Sequence, residues 1–271
     1  MTPAHSPTAE TLPRVVMAEL QEWLKSPAAL IVAHPGHELL VHAWLERARP
    51  AVFVLTDGSG GLGIPRLNST ARVLACAGAA AGAHFGAWSD QELYEHVLAR
   101  RYGPFLHCCE VIAEALHRLS LRVIVADAAE GFNPAHDICR LITNAVMGAI
   151  GGRASNLTFT VVGVPSNGPA TLRLRLTPGE LERKWSAVAR YAALNHEVME
   201  AVRRRGRASF RTEAFEPAVP QMPECATRDP FYETFGTRRV AVGRYPRVIR
   251  YREHIAPLAE TLRTWSERRA A

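Results

Sequence analysis

Short apolar runs alternate with longer helical patterns through the first half of the chain. Four runs are too short to span a membrane and are typical of buried strands, at residues 29–33, 51–56, 123–126 and 158–164. Helical patterns lie between or after them at residues 69–82, 104–119 and 137–150. Strands that alternate with helices form a parallel sheet with helices on both faces. The pattern therefore predicts an α/β fold with a mostly parallel sheet flanked by helices.

Beyond Pro165 the pattern changes. Residues 171–176 alternate polar and apolar positions, as a half-exposed strand does, and a helix is predicted from Pro178 to about Val202. A proline-rich irregular segment at 214–230 and a last strand pair at 240–242 and 248–251 are predicted after it. We expect a single domain over residues 1–271. Its ends are an N-terminal extension with a first helix in about 1–25 and an irregular C-terminal embellishment, or lid, in about 205–271.

Composition and charge limit the class of protein. Hydrophobic residues make up 48% of the 271 residues and charged residues 21%, which is ordinary for a soluble globular protein. The five cysteines have no paired framework and the first dozen residues do not resemble a secretory signal, so we expect a cytoplasmic protein. The net charge of +6 comes mostly from arginine, and the densest run of arginines, at 203–207, has no interleaved aromatics. We expect a small-molecule substrate and no nucleic-acid or membrane partner, and the sequence leaves homo-oligomer formation open.

Histidines follow two of the predicted strands. His34 and His37 come directly after the run at 29–33, and His136 follows the run at 123–126 through a loop rich in carboxylates. Loops at the carboxyl ends of parallel strands open on the same edge of a sheet and are where α/β proteins place ligands. Three imidazoles there can hold a metal with an open coordination position. Zn²⁺ is the expected metal, although iron, nickel or copper would also accept this ligand set.

Three segments, in the same order along the chain, resemble the PIG-L/LmbE-like N-deacetylase superfamily. They are Ala33-His34-Pro35 with Glu38, Leu55-Thr56-Asp57-Gly58 with Gly60, and Pro134 with His136. The resemblance covers most of the chain, including the helices at about 67–82 and 184–198 and the closing residues 251–254. It implies a Rossmann-like fold in which a zinc-activated water hydrolyses N-acyl groups, commonly on amino sugars and their conjugates. The expected activity is removal of an acetyl-like group from an amine on a small polar, possibly sugar-containing metabolite, for instance in secondary metabolism.

The chain also departs from the family pattern. The first family motif is normally Ala-His-Pro-Asp-Asp-Glu, in which the first Asp is the general base and the second a metal ligand. Gly36 and His37 stand at these two positions, so the ligand is retained in a new form and the usual base is absent. The later motif often reads His-Pro-Asp-His, and here Asn133 and Ala135 replace its first His and its Asp. An amide such as that of Asn133 can still donate a hydrogen bond to an oxyanion.

The resemblance leaves several roles open. Glu38, Glu130 and Asp137 are the nearest substitutes for the missing base. Glu38 belongs to the family motif and can be structural, so Asp137 or Glu130 is favoured, although Asp137 can instead orient a metal-bound histidine or sit at a helix N-terminus. Asn133 or His254 is the candidate for stabilising the oxyanion.

Four residues in or after the glycine-containing stretch 56–63 are candidates for substrate binding. The stretch lacks the ending of a nucleotide-binding loop, so its glycines are expected to let the backbone approach a polar substrate. The candidates are Asp57, Gly58, Arg66 and Asn68. Two alternatives to the hydrolase remain: a degenerate member that binds a metal or ligand without amide hydrolysis, and a protein whose histidines are purely structural.

Overall fold

The structure is a computed structural model that describes residues 23–60, 63–165, 168, 171–218 and 229–271. Within these residues seven strands form one sheet in the order β3-β2-β1-β4-β5-β7-β6. The strands are β1 Ala28–Val32, β2 Ala51–Thr56, β3 Ala80–Trp88, β4 Val123–Asp127, β5 Ser155–Phe159, β6 Leu172–Arg175 and β7 Thr212–Pro217. The first five run parallel, and β7 lies antiparallel to both β5 and β6. The predicted α/β fold with a mostly parallel sheet is confirmed.

Helices cover both faces of the sheet. The described α-helices are α1 His42–Ala48, α2 Leu67–Ala77, α3 Asp90–Leu98, α4 Gly103–Arg118, α5 Pro134–Ala149, α6 Pro178–Arg190, α7 Asn195–Arg205, α8 Phe231–Ala241 and α9 Ala256–Ala270. Short 3₁₀ helices form at His37–Val41, Ala192–Leu194 and Arg207–Arg211, and a π-helical turn at Tyr251–Ile255 leads into α9. In the described part of the chain, no helix has the length and apolarity needed to cross a bilayer.

Strand β1 is buried on both sides because its residues alternate between two hydrophobic layers. Ala29 and Ile31 pack with α4, α5 and α9, whereas Leu30 and Val32 pack with α1 and α2 on the other face. Every residue of β1 is buried, which explains why the strand is apolar throughout rather than alternating. Because β1 pairs with β2 on one side and β4 on the other, the strand order reverses direction between β1 and β4. That crevice is where open α/β sheets bind ligands.

The largest error of the sequence prediction concerns β3. The predicted helix at 69–82 ends at Ala77, and residues Ala80–Trp88 form an edge strand beside β2. The predicted helix from Pro178 to Val202 is interrupted at Tyr191, so α6 and α7 are separate helices.

The C-terminal part also differs from the prediction. The last strand pair is wrong: Val240 lies in α8, and residues 248–250 precede the π-helical turn without forming a strand. Residues 212–217, partly assigned to the irregular segment, form β7 inside the sheet. Residues 242–250 form neither helix nor strand, and α9, within the segment expected to be irregular, packs against α5 and buries Leu258 and Leu262 in the core. Most of the expected N-terminal extension, and residues 219–228, lie outside the described residues.

A buried ion pair ties α1 to α6 and β7. The Glu213 carboxylate accepts hydrogen bonds from the backbone N–H groups of Ala43 and Trp44, both at 2.9 Å, at the start of α1. The Lys184 ammonium donates to Glu213 at 2.8 Å and to the carbonyl of Leu40 at 2.7 Å. Glu213 and Lys184 are 2% and 3% exposed, so each charge depends on the other for its solvation.

We expect Glu213→Ala to lower the free energy of unfolding by about 3–5 kcal/mol, because it leaves a buried ammonium and two helix-end amides unpaired. Arg183→Ala is the matched control, since it removes an ion pair with Glu46 from a side chain that is 57% exposed, and should cost less than about 1 kcal/mol. Urea denaturation of both variants measures the difference. Equal costs would show that the buried pair does not hold α1 in place.

Candidate metal centre and active site

A short loop after β1 carries the first two histidines, and Glu38 fixes its shape. The fully buried Glu38 carboxylate accepts the N–H of Gly36 at 2.7 Å and the hydroxyl of Thr70 at 2.8 Å. The Thr70 hydroxyl in turn lies 2.9 Å from the Tyr191 hydroxyl, which connects the loop to α2 and to the residue after α6. Burial raises the pKa of Glu38, and these hydrogen bonds partly offset that effect. The contacts of Glu38 are those of a structural residue.

Gly36 adopts a backbone conformation that favours glycine. Its φ is +106°, and a Cβ built at this position would lie 2.2 Å from Cδ1 of Leu194. The position where the resemblance places a general base is therefore closed by an apolar side chain from the 3₁₀ helix Ala192–Leu194.

The His34 ring is held through Nδ1. This nitrogen lies 2.9 Å from the Thr56 hydroxyl and 3.0 Å from a carboxylate oxygen of Asp90. The hydroxyl donates its proton to an acceptor, the carbonyl of Ala33, and so it accepts from His34. His34 therefore carries its proton on Nδ1, and its buried Nε2 has a free lone pair and no hydrogen-bond partner among the described residues.

Asp90 is positioned for this contact by its own environment. It begins α3, where its other carboxylate oxygen accepts the N–H of Gly60 at 2.6 Å. Burial opposes ionisation of the Asp90 carboxyl, but its contact with His34 and the hydrogen bond from the N–H of Gly60 bring its pKa below the usual range. An ionised Asp90 orients the imidazole of His34.

The His37 ring is held in the same way by the last residue of β4. Its Nδ1 lies 2.8 Å from the Asp127 carboxylate, which also accepts the N–H of Ala33 at 2.8 Å. A carboxylate only accepts, so His37 donates from Nδ1 and its Nε2 is left with a lone pair. Arg140 donates to the backbone carbonyl of Asp127 at 3.0 Å and helps fix the end of the strand. Strands β1 and β4 are thereby joined at the point where the strand order reverses.

His136, in the first turn of α5, completes a cluster of three imidazoles. The ring centroids of His34 and His37 are 5.4 Å apart, and those of His136 lie 5.4 Å from His34 and 4.7 Å from His37. Burial moves the pKa of His136 well below its ordinary value, with smaller contributions from His37 and His34, so the ring is neutral at pH 7. Its Nδ1 is buried and has no partner among the described residues.

The three imidazoles are suitable donors for a metal ion, although their present arrangement is not that of a metal site. Neutral imidazoles oriented by carboxylates are common zinc ligands. A tetrahedral zinc ion with Zn–N bonds of about 2.0–2.1 Å would place neighbouring ring centroids about 5 Å apart, close to the separations in this cluster. As they stand, no three or more His, Cys, Asp or Glu side chains of the described residues are arranged to hold a metal.

The two carboxylates that sequence analysis favoured as the base are both engaged with loop backbone. Glu130 accepts the N–H groups of three residues, Val161 at 2.8 Å, Val162 at 2.9 Å and Gly163 at 2.5 Å. One oxygen of Asp137 accepts the N–H groups of Glu130 and Gly131, both at 3.1 Å, whereas its other oxygen is buried without a hydrogen-bond partner in the described chain. Burial raises the pKa of Asp137 to about 7. Asp137 therefore keeps a free acceptor, and Glu130 is committed to its loop.

The two candidates for oxyanion stabilisation lie in different places. Asn133 is the N-cap of α5, and its amide oxygen accepts the N–H of Ala135 at 2.9 Å and the hydroxyl of Tyr94 at 3.1 Å. Its NH₂ group is the part left to donate, three residues before His136. His254 lies in the π-helical turn and bonds through Nδ1 to the backbone of Arg250. Burial lowers the pKa of His254.

Two of the four predicted substrate-binding residues, Gly58 and Arg66, lie beside the loop after β1. A Cβ on Gly58 would lie 2.8 Å from both Pro35 Cδ and Arg66 Nε, so the glycine allows these two residues to pack closely. The Nε atom of Arg66 is buried without a partner among the described residues, and its terminal nitrogen is 3.5 Å from Glu197. Asp57 accepts the N–H of Ser59 at 2.8 Å, and Asn68 is an exposed residue of α2. Arg66 is the one of the four with an unused donor directed into the protein.

Sequence analysis missed the residues that orient the imidazoles. Asp127 directly follows the predicted strand 123–126, just as His34 directly follows the predicted strand 29–33. This position could have identified Asp127 as a site residue. Asp90 was missed because no strand was predicted over Ala80–Trp88, although the capping box formed by Ser89 and Glu92 marks the start of α3.

No protein-family profile and no curated protein matches the chain. Solved structures do resemble it. The A40926 pseudoaglycone deacetylase has a TM-score of 0.55 at 16% identity, covering 74% of this chain and 100% of that one. A triple mutant of a deacetylase of the teicoplanin biosynthetic pathway has a TM-score of 0.54 at 15% identity over 72% and 98% of the two chains. The zinc-inhibited form of teicoplanin deacetylase has a TM-score of 0.51 at 13% identity over 70% and 98%. The chain therefore has the fold of these deacetylases.

Proposed function

We propose that this chain is a metal-dependent hydrolase that removes an acyl group from an amine on a small polar metabolite. The observation that carries the proposal is the cluster of His34, His37 and His136 at the sheet's switch point, with two of the rings oriented by carboxylates. The fold shared with deacetylases supports the reaction type, and the zinc-inhibited form of one of them supports a site that interacts with zinc.

The three histidines would hold Zn²⁺ or a related divalent metal. When bound, the metal supplies a Lewis acid for the amide carbonyl and for the attacking water. Asp127 and Asp90 keep His37 and His34 in the tautomer that leaves Nε2 free to ligate. The neutral state of His136 removes the cost of deprotonating a ligand.

The remaining steps fall to residues at the start of α5 and to the candidates for substrate binding between β2 and α2. Asp137 is our candidate for the group that takes the proton of the attacking water, because one of its oxygens has no other partner. Asn133 would donate its amide N–H to the developing oxyanion. Arg66, with Gly58, Asp57 and Asn68 nearby, would bind polar groups of the substrate at the edge of the loop. The neighbours act on the A40926 pseudoaglycone or belong to teicoplanin biosynthesis, so an N-acylated secondary metabolite is the substrate class we propose.

A second function, metal or ligand binding without hydrolysis, is favoured by one observation. Leu194 occupies the space beside Gly36, so no carboxylate can enter the position of the family's base without displacing it. A missing and unreplaced base lowers the rate by about 10²–10⁴.

One experiment separates the two functions. Purified protein is assayed for metal by elemental analysis and for amine release from a panel of N-acetyl amino sugars and acylated metabolites. We expect about one metal ion per chain and amine release, with kcat of Asp137→Asn lower by about 10²–10⁴ at unchanged metal content. The asparagine oxygen still accepts the two loop amides, so this substitution changes the proton acceptor and keeps the loop.

Glu130→Gln is the matched control, because Glu130 already serves three backbone amides, and its kcat should change by less than about tenfold. Bound metal with no amine release from any substrate would favour the binding function. A protein without stoichiometric metal, in which His34→Ala changes no property, would contradict both functions.

A further inference from the structure

A row of partly exposed aromatic rings borders the candidate active site. Phe132 and Phe231 stack with ring centroids 4.9 Å apart and an angle of 3° between their planes. Phe231 stacks on Phe235 at 5.8 Å, and Tyr245 meets the edge of Phe235 at 6.4 Å. The four rings, which we call the aromatic column, are 38–49% exposed. Large apolar side chains exposed side by side mark binding surfaces more often than isolated ones do.

The column is continuous with the site through one loop. Phe132 directly precedes Asn133, and the N–H of Gly131 on its other side donates to Asp137 at 3.1 Å. The carbonyl of Gly131 accepts the N–H of Tyr232 in α8, which fastens the helix carrying Phe231 and Phe235 to this loop. Phe132 is four residues before His136, so their Cα atoms are at most about 14 Å apart. A group on the column and an amide at the histidines can therefore belong to the same small molecule.

The geometry of the column favours a flat aromatic ligand. Phe132 is the end of the stack, since among the described aromatic residues its ring stacks on that of Phe231 alone. One further ring would extend the stack in the offset-parallel arrangement that aromatic pairs prefer. At the other end, the Arg239 guanidinium lies 5.7 Å from the Phe235 ring and 5.6 Å from the Tyr245 ring, which makes that end cationic. A cationic group is thereby disfavoured as a ligand, whereas a neutral or electron-rich ring is not.

The exposed area suits one group of a small molecule better than a protein partner. Four rings of this kind, each less than half exposed, present roughly 300 Å² in all. A stable protein interface needs about 800 Å² on each partner.

We propose that the aromatic column is a subsite for an aryl group carried by the N-acylated substrate. The inference rests on the proposed hydrolase function for the amide end of the substrate. It narrows the substrate class to N-acyl amines that bear an aryl group.

The test uses two probes that differ only in the aglycone, the 4-nitrophenyl and methyl glycosides of N-acetylglucosamine. We expect Phe132→Ala and Phe231→Ala, which remove the end ring of the stack and the ring that supports it, to raise KM for the aryl glycoside by about 5–10-fold. KM for the methyl glycoside should rise by less than about twofold. Leu119→Ala is the control, since Leu119 is similarly exposed but lies at the end of α4 and outside the column. Equal effects on the two glycosides would overturn the inference.

A second measurement separates this inference from the hydrolase proposal. The 4-nitrophenyl glycoside of glucosamine has no acyl group, and its binding can be measured by calorimetry without turnover. Weaker binding to Phe231→Ala than to the unmodified chain supports the subsite even where no amide is hydrolysed. Unchanged binding overturns it, as does a dimer in analytical ultracentrifugation that Phe231→Ala converts to a monomer, because the column would then be an interface between two chains.

Discussion

We expect His136→Ala to lose its bound metal and to lower kcat/KM at least about a thousandfold. Three imidazoles are the smallest set that holds a catalytic zinc ion with a position open, and alanine leaves two. The His136 ring is buried and kept neutral by burial, so its free nitrogen is available to a metal without loss of a proton. Elemental analysis and amine-release assays measure the two effects together.

Asp127→Asn is the matched comparison for this prediction. The substitution removes the carboxylate that accepts from Nδ1 of His37. Loss of such an orienting carboxylate typically costs 10–100-fold in metal affinity or activity. We therefore expect His136→Ala to have a much lower metal content and kcat/KM than Asp127→Asn. Both variants should retain the circular dichroism spectrum of the unmodified chain. Full metal content in His136→Ala would show that this histidine is not a ligand.

The position of the cluster was predictable because its causes are local. The run at β1 is apolar throughout, which identifies a strand buried on both faces, and β4 has the same character. Parallel strands bring their carboxyl ends to one edge, so His34, His37 and His136 were expected to meet there. The tautomers were not predictable, since they depend on which ring nitrogen meets Asp90, Asp127 or Thr56 across the sheet.

Strand β3 was missed because its sequence lacks the usual features of a strand. It is composed mainly of alanine and glycine with no β-branched residue, and alanine favours helix. Tertiary packing decides the conformation: a Cβ on Gly82 would lie 2.6 Å from the Phe53 ring, so the edge strand fits against β2 only with glycine there. In the same way, α9 belongs to the core because Leu258 and Leu262 pack against α5. Sequence periodicity alone does not predict such a long-range contact.

We expect Gly36→Asp to lower the free energy of unfolding by about 2–6 kcal/mol. One part of the cost is the backbone, since a φ of +106° strains a side-chain-bearing residue by about 1–3 kcal/mol. The other part is overpacking, because the new Cβ would lie 2.2 Å from the Leu194 side chain, and forced repacking typically costs about 1–3 kcal/mol. Gly63→Asp is the control for the first part, since Gly63 has a φ of +67° and no atom within 4 Å of a built Cβ.

A double-mutant cycle with Leu194→Ala tests the packing part separately. If Leu194 closes the space beside residue 36, Gly36→Asp with Leu194→Ala should be more stable than the sum of the single variants by about 1–2 kcal/mol. Urea denaturation of the four proteins gives the coupling energy. Additive costs would mean that the strain lies in the backbone alone, and that an apolar side chain is not what excludes a carboxylate from this position. A positive coupling energy would instead show that the Leu194 side chain excludes a carboxylate at residue 36, so that proton transfer must be assigned to a residue outside the first loop.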